Sequence, residues 1–388
     1  MKNVIVWLSH RNFIMEKITF NDLHLSADIK KAIEYMGFVD PTPIQARAIP
    51  YILEGKDVIG QAETGTGKTA AFGIPALELV NIAQKKVQIL VLCPTRELAN
   101  QVAEEINKLS RYREIKICAI FGGQSIERQM KALKKGVHIV VGTPGRIMDH
   151  LERNTLKLDT VKMVVLDEAD KMLDMGFRED IEIILEKAND KRQTILFSAT
   201  MPKPIIKLTT KYQREPLLIK TQQKNVNVSK IEQFYLETKG RPKHEILCRV
   251  MDSYDMKSSL VFCNTKKGVD ELVITLRRRG YLVDGLHGDM RQKQRDDVMS
   301  SFKKGEIETL VATDVASRGI DVKNIEAVFN YDIPQDTESY IHRIGRTGRA
   351  GKEGRAFTFA AGRELYRIKN IQKHTNTVIR CKELPSVA

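Results

Sequence analysis

The sequence predicts two tandem α/β domains, each a mostly parallel sheet flanked by helices. Three observations lead there. Short runs rich in β-branched residues alternate with longer amphipathic segments, the runs are almost continuously apolar, and one polar stretch interrupts the alternation near the middle of the 388-residue chain. Alternation of this kind is what βαβ units produce, and continuous apolar character is what a strand covered by helices on both faces requires. A chain of this length exceeds a single ordinary core and suits two domains of roughly 150 to 200 residues.

The first series begins with DVIG (57–60) and continues with VQILVLC (87–93), KICAIF (116–121), VHIVVGT (137–143), KMVVLD (162–167) and TILFSAT (194–200). The second comprises SLVFCN (259–264), YLVDGLH (281–287), TLVATD (309–314), AVFNYD (327–332) and GRAFTFA (354–360). Between them LIKTQQKNVNVSK (218–230) is polar and aperiodic, as an exposed linker is. These limits predict an N-terminal appendage over 1–14, a first domain over 15–217, a linker over 218–230 with the boundary near 222, and a second domain over 231–388.

Apolar residues make up 42% and charged residues 29%, the balance of a folded chain rather than a disordered or membrane one. The net charge of +14 favours an anionic partner, a nucleic acid or a membrane surface, and both halves share the excess of Lys and Arg. Five cysteines without a Cys-x-x-Cys pair encode neither a disulfide framework nor a zinc site, which points to a reducing cytoplasm. No apolar run approaches the roughly 18 residues that span a bilayer.

Two motifs carry chemistry on their own residues. After DVIG the chain passes through Ala62, Glu63, Thr64, Gly65, Thr66, Gly67, Lys68 and Thr69 into a helical segment. Glycines let backbone N–H groups turn toward phosphate, Lys68 reaches the terminal phosphates, and Thr69 offers a hydroxyl to Mg²⁺. Alanine at 62 replaces the first glycine of the strict phosphate-loop pattern. The second motif is MVVLDEAD (163–170), an apolar strand that runs into Asp167, Glu168 and Asp170. A carboxylate cluster repels itself unless a cation or water intervenes. Beside a phosphate loop, Asp167 is expected to hold Mg²⁺ and Glu168 to polarise the attacking water, with ATP and Mg²⁺ as the ligands.

With these motifs in order, the chain resembles the DEAD-box ATP-dependent RNA helicases of helicase superfamily 2 over roughly residues 18–362, and is most similar to the bacterial cold-shock type. The resemblance implies two RecA-like domains that bind RNA across both, hydrolyse ATP, and open short RNA duplexes or remodel RNA–protein complexes. It makes Phe38 and Gln45, in GFVDPTPIQ (37–45), the adenine readers. It assigns RNA contacts to Pro94, Thr95 and Arg96 of PTREL, to Gly122 and Gly123, and to Thr143, Pro144, Gly145 and Arg146 of TPGR. In the second domain it assigns Gln292, Arg295 and Thr313 to RNA and Gly319 and Asp321 to ATP. Within HRIGRTGR (342–349), Arg346 and Arg349 become arginine fingers on the γ-phosphate. Asp170, Ser198, Thr200 and His342 become coupling residues.

None of these residues offers a base-reading code, so RNA recognition through the backbone, independent of sequence, is expected. Ribosomal precursors or RNA-degradation complexes are the expected settings, and a monomeric core the expected state. Two other readings stay open on the sequence: an ATP-gated RNA clamp, and a DNA helicase, against which the adenine motif and Asp170 argue.

Overall fold

The computed structural model describes residues 6–7, 18–62, 65–221, 231–317, 325–348, 353–375 and 377–384. The chain divides into two compact units, Met1–Gln222 and Gln223–Ala388. The first carries strands β1 (Val6–Trp7), β2 (Val58–Gln61), β3 (Ile89–Leu92), β4 (Ile117–Ile120), β5 (Ile139–Gly142), β6 (Met163–Leu166), β7 (Gln193–Ser198) and β8 (Leu217–Lys220), in the order β1-β8-β2-β7-β6-β3-β5-β4. Every neighbouring pair is parallel.

Alternate residues of one strand feed two different cores, which is why the runs read as continuously apolar. Ile89, Val91, Met163, Val165, Ile195 and Phe197 join the core under the helices Pro43–Leu53, Lys68–Leu79 and Arg96–Leu109. Leu90, Leu92, Val164, Leu166 and Leu196 join the core on the opposite face, under Pro144–Glu152 and Arg178–Lys187. A sheet buried on both faces penalises a polar group that lacks a partner. At the amino ends of the strands Asp57 meets that requirement. Its two carboxylate oxygens accept from Thr194 N at 2.8 Å and Arg214 N at 2.7 Å, which pins β2 beside β7 and the turn leading to β8.

The second unit carries β9 (Ile231–Glu237), β10 (Ser259–Phe262), β11 (Val283–Leu286), β12 (Thr309–Ala312), β13 (Ala327–Asn330), β14 (Gly354–Ala360) and β15 (Arg380–Cys381), in the order β11-β12-β10-β13-β14-β9-β15 and again all parallel. Its core includes a run of rings, Phe329 against Phe357 at 5.2 Å and Phe357 against Phe234 at 5.4 Å between centroids. Among the described residues no helix is long and apolar enough to cross a membrane. All five cysteines are free thiols.

Three stretches depart from the sequence expectations. Residues 218–220, expected in the linker, lie in β8, where Leu217 pairs with Val58 and both Leu218 and Ile219 are buried. The run is too short to stand out from the polar segment that follows it. Val6–Trp7, expected in an appendage, adds a two-residue parallel edge to β8. β9, between β14 and β15, was not anticipated because IEQFYLE alternates buried with partly exposed positions instead of running apolar throughout.

Gly60 shows how tightly the first sheet is filled. A Cβ there would sit 2.2 Å from the ring of Phe197, itself fully buried and 5.7 Å from Phe72. Gly60→Val is expected to destabilise the first unit by about 1–3 kcal/mol, the usual cost of overpacking. Chemical denaturation followed by circular dichroism checks this, and an unchanged midpoint contradicts it.

Candidate active site

Parallel strands end at a common edge, and the first unit's motifs follow one another along it. In sheet order, β2 leads into the phosphate loop, β7 into Ser198-Ala199-Thr200, β6 into the acidic cluster, β3 into PTREL, β5 into TPGR and β4 into Gly122-Gly123. Ligands of open α/β sheets bind at this carboxyl edge.

The loop after β2 turns through Gly65 (φ 80°) and Gly67 (φ 86°), both left-handed, before the helix Lys68–Leu79. At Gly67 a side chain is excluded twice over, since a Cβ would also meet Gln45 Nε2 at 2.4 Å. Gln45 is the N3 residue of the helix Pro43–Leu53. Its Oε1 accepts from Thr42 N at 2.9 Å, and its Nε2 donates to the Gly67 carbonyl at 3.0 Å. Phe38, half-buried, lies against Phe20 with centroids 6.5 Å apart. Lys68 opens the helix and is buried, its Nζ 3.8 Å from Asp167 Oδ1. Thr66 and Thr69 are half-buried beside it, whereas Glu63 and Thr64 lie outside the described residues.

Asp167 follows β6 and is buried, and its Oδ1 accepts no hydrogen bond. Burial pushes its carboxyl up to about 6; Lys68 opposes the rise and Glu168 adds to it. An orphaned, buried carboxylate oxygen facing an ammonium group suits a cation, and with the Thr69 hydroxyl it gives the oxygen donors that Mg²⁺ prefers. Among the described residues no cluster of three or more His, Cys, Asp or Glu side chains forms a self-sufficient metal cage. Such a cation would therefore keep waters and phosphate oxygens, as Mg²⁺ does in phosphoryl-transfer sites.

Glu168 takes a left-handed backbone (φ 53°, ψ 50°) that side chains other than glycine rarely adopt, at a cost of order 1 kcal/mol. Its Oε2 lies 3.0 Å from Lys171 Nζ, and both groups are buried. Asp170 points elsewhere. Its Oδ2 accepts from Ala199 N (3.1 Å), Thr200 N (2.8 Å) and Thr200 Oγ1 (2.9 Å), which joins the end of β6 to the end of β7. Ser198 instead donates its hydroxyl to the Thr200 carbonyl at 2.7 Å.

Farther along the edge, Pro94 is buried and Thr95 caps the helix Arg96–Leu109 through Leu98 N. The Arg96 guanidinium packs over Gly122, where a Cβ would meet its Nη2 at 3.0 Å, and Gly123 is left-handed (φ 87°). Thr143 and Pro144 start the helix Pro144–Glu152, and Gly145 borders open space. Arg146 is braced rather than loose: Nη1 donates to the carbonyl of Gln124 and to Gln129 Oε1, and Nε lies 3.2 Å from Asp149.

In the second unit Gln292 opens the helix Gln292–Lys304 with its amide on Asp296 at 2.8 Å, while Arg295 reaches the Ala316 carbonyl. Thr313 follows β12 and donates its N–H to Leu286 at the end of β11. His342 lies half-buried in the helix Thr337–Ile344, and Arg346 is buried just beyond it. Gly319, Asp321 and Arg349 lie outside the described residues.

Sequence reasoning passed over Arg343, which is 1% exposed. It holds both Asp314 oxygens at 2.6 Å, the Asp332 carbonyl at 2.6 Å and Asn264 Oδ1 at 2.9 Å. It is the first of the three arginines in HRIGRTGR, and the only signal for it was that density of charge. Lys171 and Gln129 were missed too, since neither stands out in a motif.

Comparison with known proteins gives this arrangement a family. The DEAD/DEAH box helicase model matches residues 42–208 and the helicase conserved C-terminal domain matches 242–351. The chain belongs to the DEAD-box ATP-dependent RNA helicase family. It is 53% identical over 369 residues to the DEAD-box ATP-dependent RNA helicase CshA of Geobacillus kaustophilus, covering 95% of this chain and 79% of the relative. It is 52% identical to the CshA of Bacillus subtilis, covering 92% and 72%. Among solved structures, S. cerevisiae Dbp5 bound to RNA and ADP BeF3 aligns with TM-score 0.85 at 32% identity over 94% of this chain and 96% of that one. Mss116p bound to ssRNA and AMP-PNP aligns with TM-score 0.84 at 32% identity over 96% and 81%. The two all-parallel sheets are the tandem RecA-like domains of this family.

Asp170 supplies a pH prediction. Burial raises its carboxyl, but hydrogen bonds from Thr200 N, Thr200 Oγ1 and Lys171 N outweigh that and hold it below the usual carboxylate range. A depressed folded pKa contributes stability that is complete above the unfolded value near 4 and is lost as pH falls through the folded value. Asp170→Asn is expected to cost about 1–3 kcal/mol at pH 7, with the difference from wild type shrinking below about pH 4. Urea titrations at neutral and acid pH measure it, and a difference independent of pH contradicts the assignment.

Proposed function

We propose that this ATP-dependent RNA helicase opens short RNA duplexes, or strips RNA–protein complexes, locally rather than by long translocation. One observation carries the reading: a single sheet edge holds the Lys68–Asp167 pair, the Asp170–Thr200 bridge from β6 to β7, and, on the strands beyond β6, the PTREL, TPGR and Gly-Gly loops. A change at the nucleotide thus acts on the same line of loops that would hold RNA.

In this reading the helix N-terminus at Lys68 and the Lys68 ammonium bind the ATP phosphates, and Phe38 and Gln45 receive the adenine. Asp167 and Thr69 would hold Mg²⁺, which when bound neutralises phosphate charge. Glu168 orients the attacking water and takes its proton, while Arg346 and Arg349 stabilise charge on the transferring group, an effect worth roughly 10³ to 10⁵ in rate. The loops at the carboxyl ends of β3, β4 and β5, with Gln292, Arg295 and Thr313 of the second unit, take the RNA backbone. Because coupling is reciprocal, RNA and ATP each raise the affinity for the other. Unstacking costs a few kcal/mol per step, so one binding event suffices only for a short stretch. The five free thiols fit a reducing cytoplasm, and ribosomal precursors or RNA-degradation complexes are natural settings for such an enzyme acting as a monomer.

Glu168→Gln is expected to lower RNA-stimulated turnover about 10²- to 10⁴-fold with ATP and RNA binding retained, since the neutral amide takes no proton. Steady-state ATPase and equilibrium binding assays decide it, and wild-type turnover removes Glu168 from the chemistry. In single-turnover unwinding, yield is expected to fall steeply beyond about one helical turn, because each event disrupts only a few steps. Equal yield on duplexes many turns long would establish processive translocation instead.

A further inference from the structure

Behind the RNA edge of the first unit lies a buried polar group that the mechanism above does not use. Gln129, 4% exposed on the helix Ile126–Lys134, reaches into the space between β4 and the helix Pro144–Glu152. Its Nε2 donates to the Phe121 carbonyl at 3.0 Å, immediately before Gly122-Gly123. Its Oε1 accepts from Arg146 Nη1 at 3.0 Å and faces His150 Nε2 at 3.1 Å. Arg146 Nη1 also donates to the Gln124 carbonyl, immediately after the glycine pair. The two loops are therefore tied together through one amide and one guanidinium.

The chemistry of the partners fixes every orientation. A carbonyl only accepts and a guanidinium only donates, so the amide cannot flip without losing both bonds. Oε1 then demands a donor from His150, which must carry its proton on Nε2. Nδ1 is left to accept from the Thr155 hydroxyl at 2.7 Å. His150 is fully buried, and burial together with the Arg146 charge lowers the pKa of its ring. Nη1 donates to two acceptors and Nε lies beside Asp149 without making a hydrogen bond, so Nη2, which makes no hydrogen bond among the described residues, is the terminal nitrogen left for a ligand.

We propose that Gln129, itself held by His150, is a positioning residue for RNA: it locks the Arg146 guanidinium to the Gly122-Gly123 loop so that Nη2 is presented to a backbone phosphate. The proposal rests on the reading of Arg146 as an RNA contact, and it extends that contact to a buried lever on another helix. Holding a long cationic side chain in one rotamer before binding removes an ordering cost from the bound state, so the lever acts on RNA affinity and not on nucleotide affinity.

The test is a double-mutant cycle on the full chain, reading KM for a single-stranded oligouridylate in the ATPase assay. Gln129→Met, close to isosteric, is expected to raise that KM about five- to tenfold, with kcat at saturating RNA and KM for ATP within about twofold of wild type. In an Arg146→Ala background the same change is expected to add less than about twofold, because a lever without its load has nothing to position. His150→Phe keeps the ring volume and removes the donor to Oε1. It is expected to act in the same direction by about two- to threefold and serves if Gln129→Met fails to fold. An unchanged KM in the Gln129 variant while Arg146→Ala weakens RNA overturns the positioning role. Equal effects of Gln129→Met with and without Arg146 overturn it as well and leave only a structural role. An unchanged KM in Arg146→Ala overturns the underlying reading of Arg146 instead.

Discussion

A parallel strand delivers its chain to the same edge as its neighbours, and most of this molecule's chemistry follows from that constraint. Because β2 through β7 all run one way, six separate loops converge along one line although their residues span more than a hundred positions of sequence. The order of strands in the sheet, not their order in the chain, decides which loops are neighbours. β7 and β6 stand side by side although the helix Arg178–Lys187 separates them in sequence. That adjacency is what allows one carboxylate, Asp170, to gather Ala199 and Thr200.

Along that edge the protein keeps charges where burial penalises them, and each charge is compensated by a specific partner. Asp167 has Lys68, Glu168 has Lys171, and Asp170 has N–H and hydroxyl donors. Among these three described acids the compensation is incomplete at Asp167, whose Oδ1 is unbonded and whose carboxyl sits high in pKa. Incomplete compensation marks a place that awaits something, and the strained backbone at Glu168 beside it points the same way. The second unit spends its buried charge differently. Arg343 is saturated by Asp314, Asp332, Asn264 and Asn330, so it braces the loops after β10, β12 and β13 and has no capacity left for a ligand.

What the sequence disclosed depended on whether the signal was local. Continuous apolar runs announced the inner strands, because burial on both faces leaves few other choices. β8 and β9 escaped notice: Leu217–Lys220 is short and abuts a polar stretch, and Ile231–Glu237 alternates. In the site, the left-handed glycines and the acidic cluster were visible as residue types. The partners of Arg146 were not, since Gln129 lies 17 positions away and becomes a neighbour only when its helix packs beside Pro144–Glu152. The resemblance gave the three acids three separate partners, but the sequence did not reveal that Glu168 takes a left-handed backbone and pairs with Lys171.

Gln45 already holds the Thr42 N–H with its oxygen and the Gly67 carbonyl with its nitrogen. An amide oxygen has a second lone pair and an amide nitrogen a second hydrogen, so both atoms keep one unused valence while the plane of the group is fixed. Under the adenine contact proposed for Gln45, an arriving nucleobase would meet a side chain whose rotamer was chosen when the domain folded. Selectivity at such a site is a property of the apoprotein, stored as rigidity, and any substitution that frees the amide from Gly67 would blur the choice of base before it weakened the grip on phosphate.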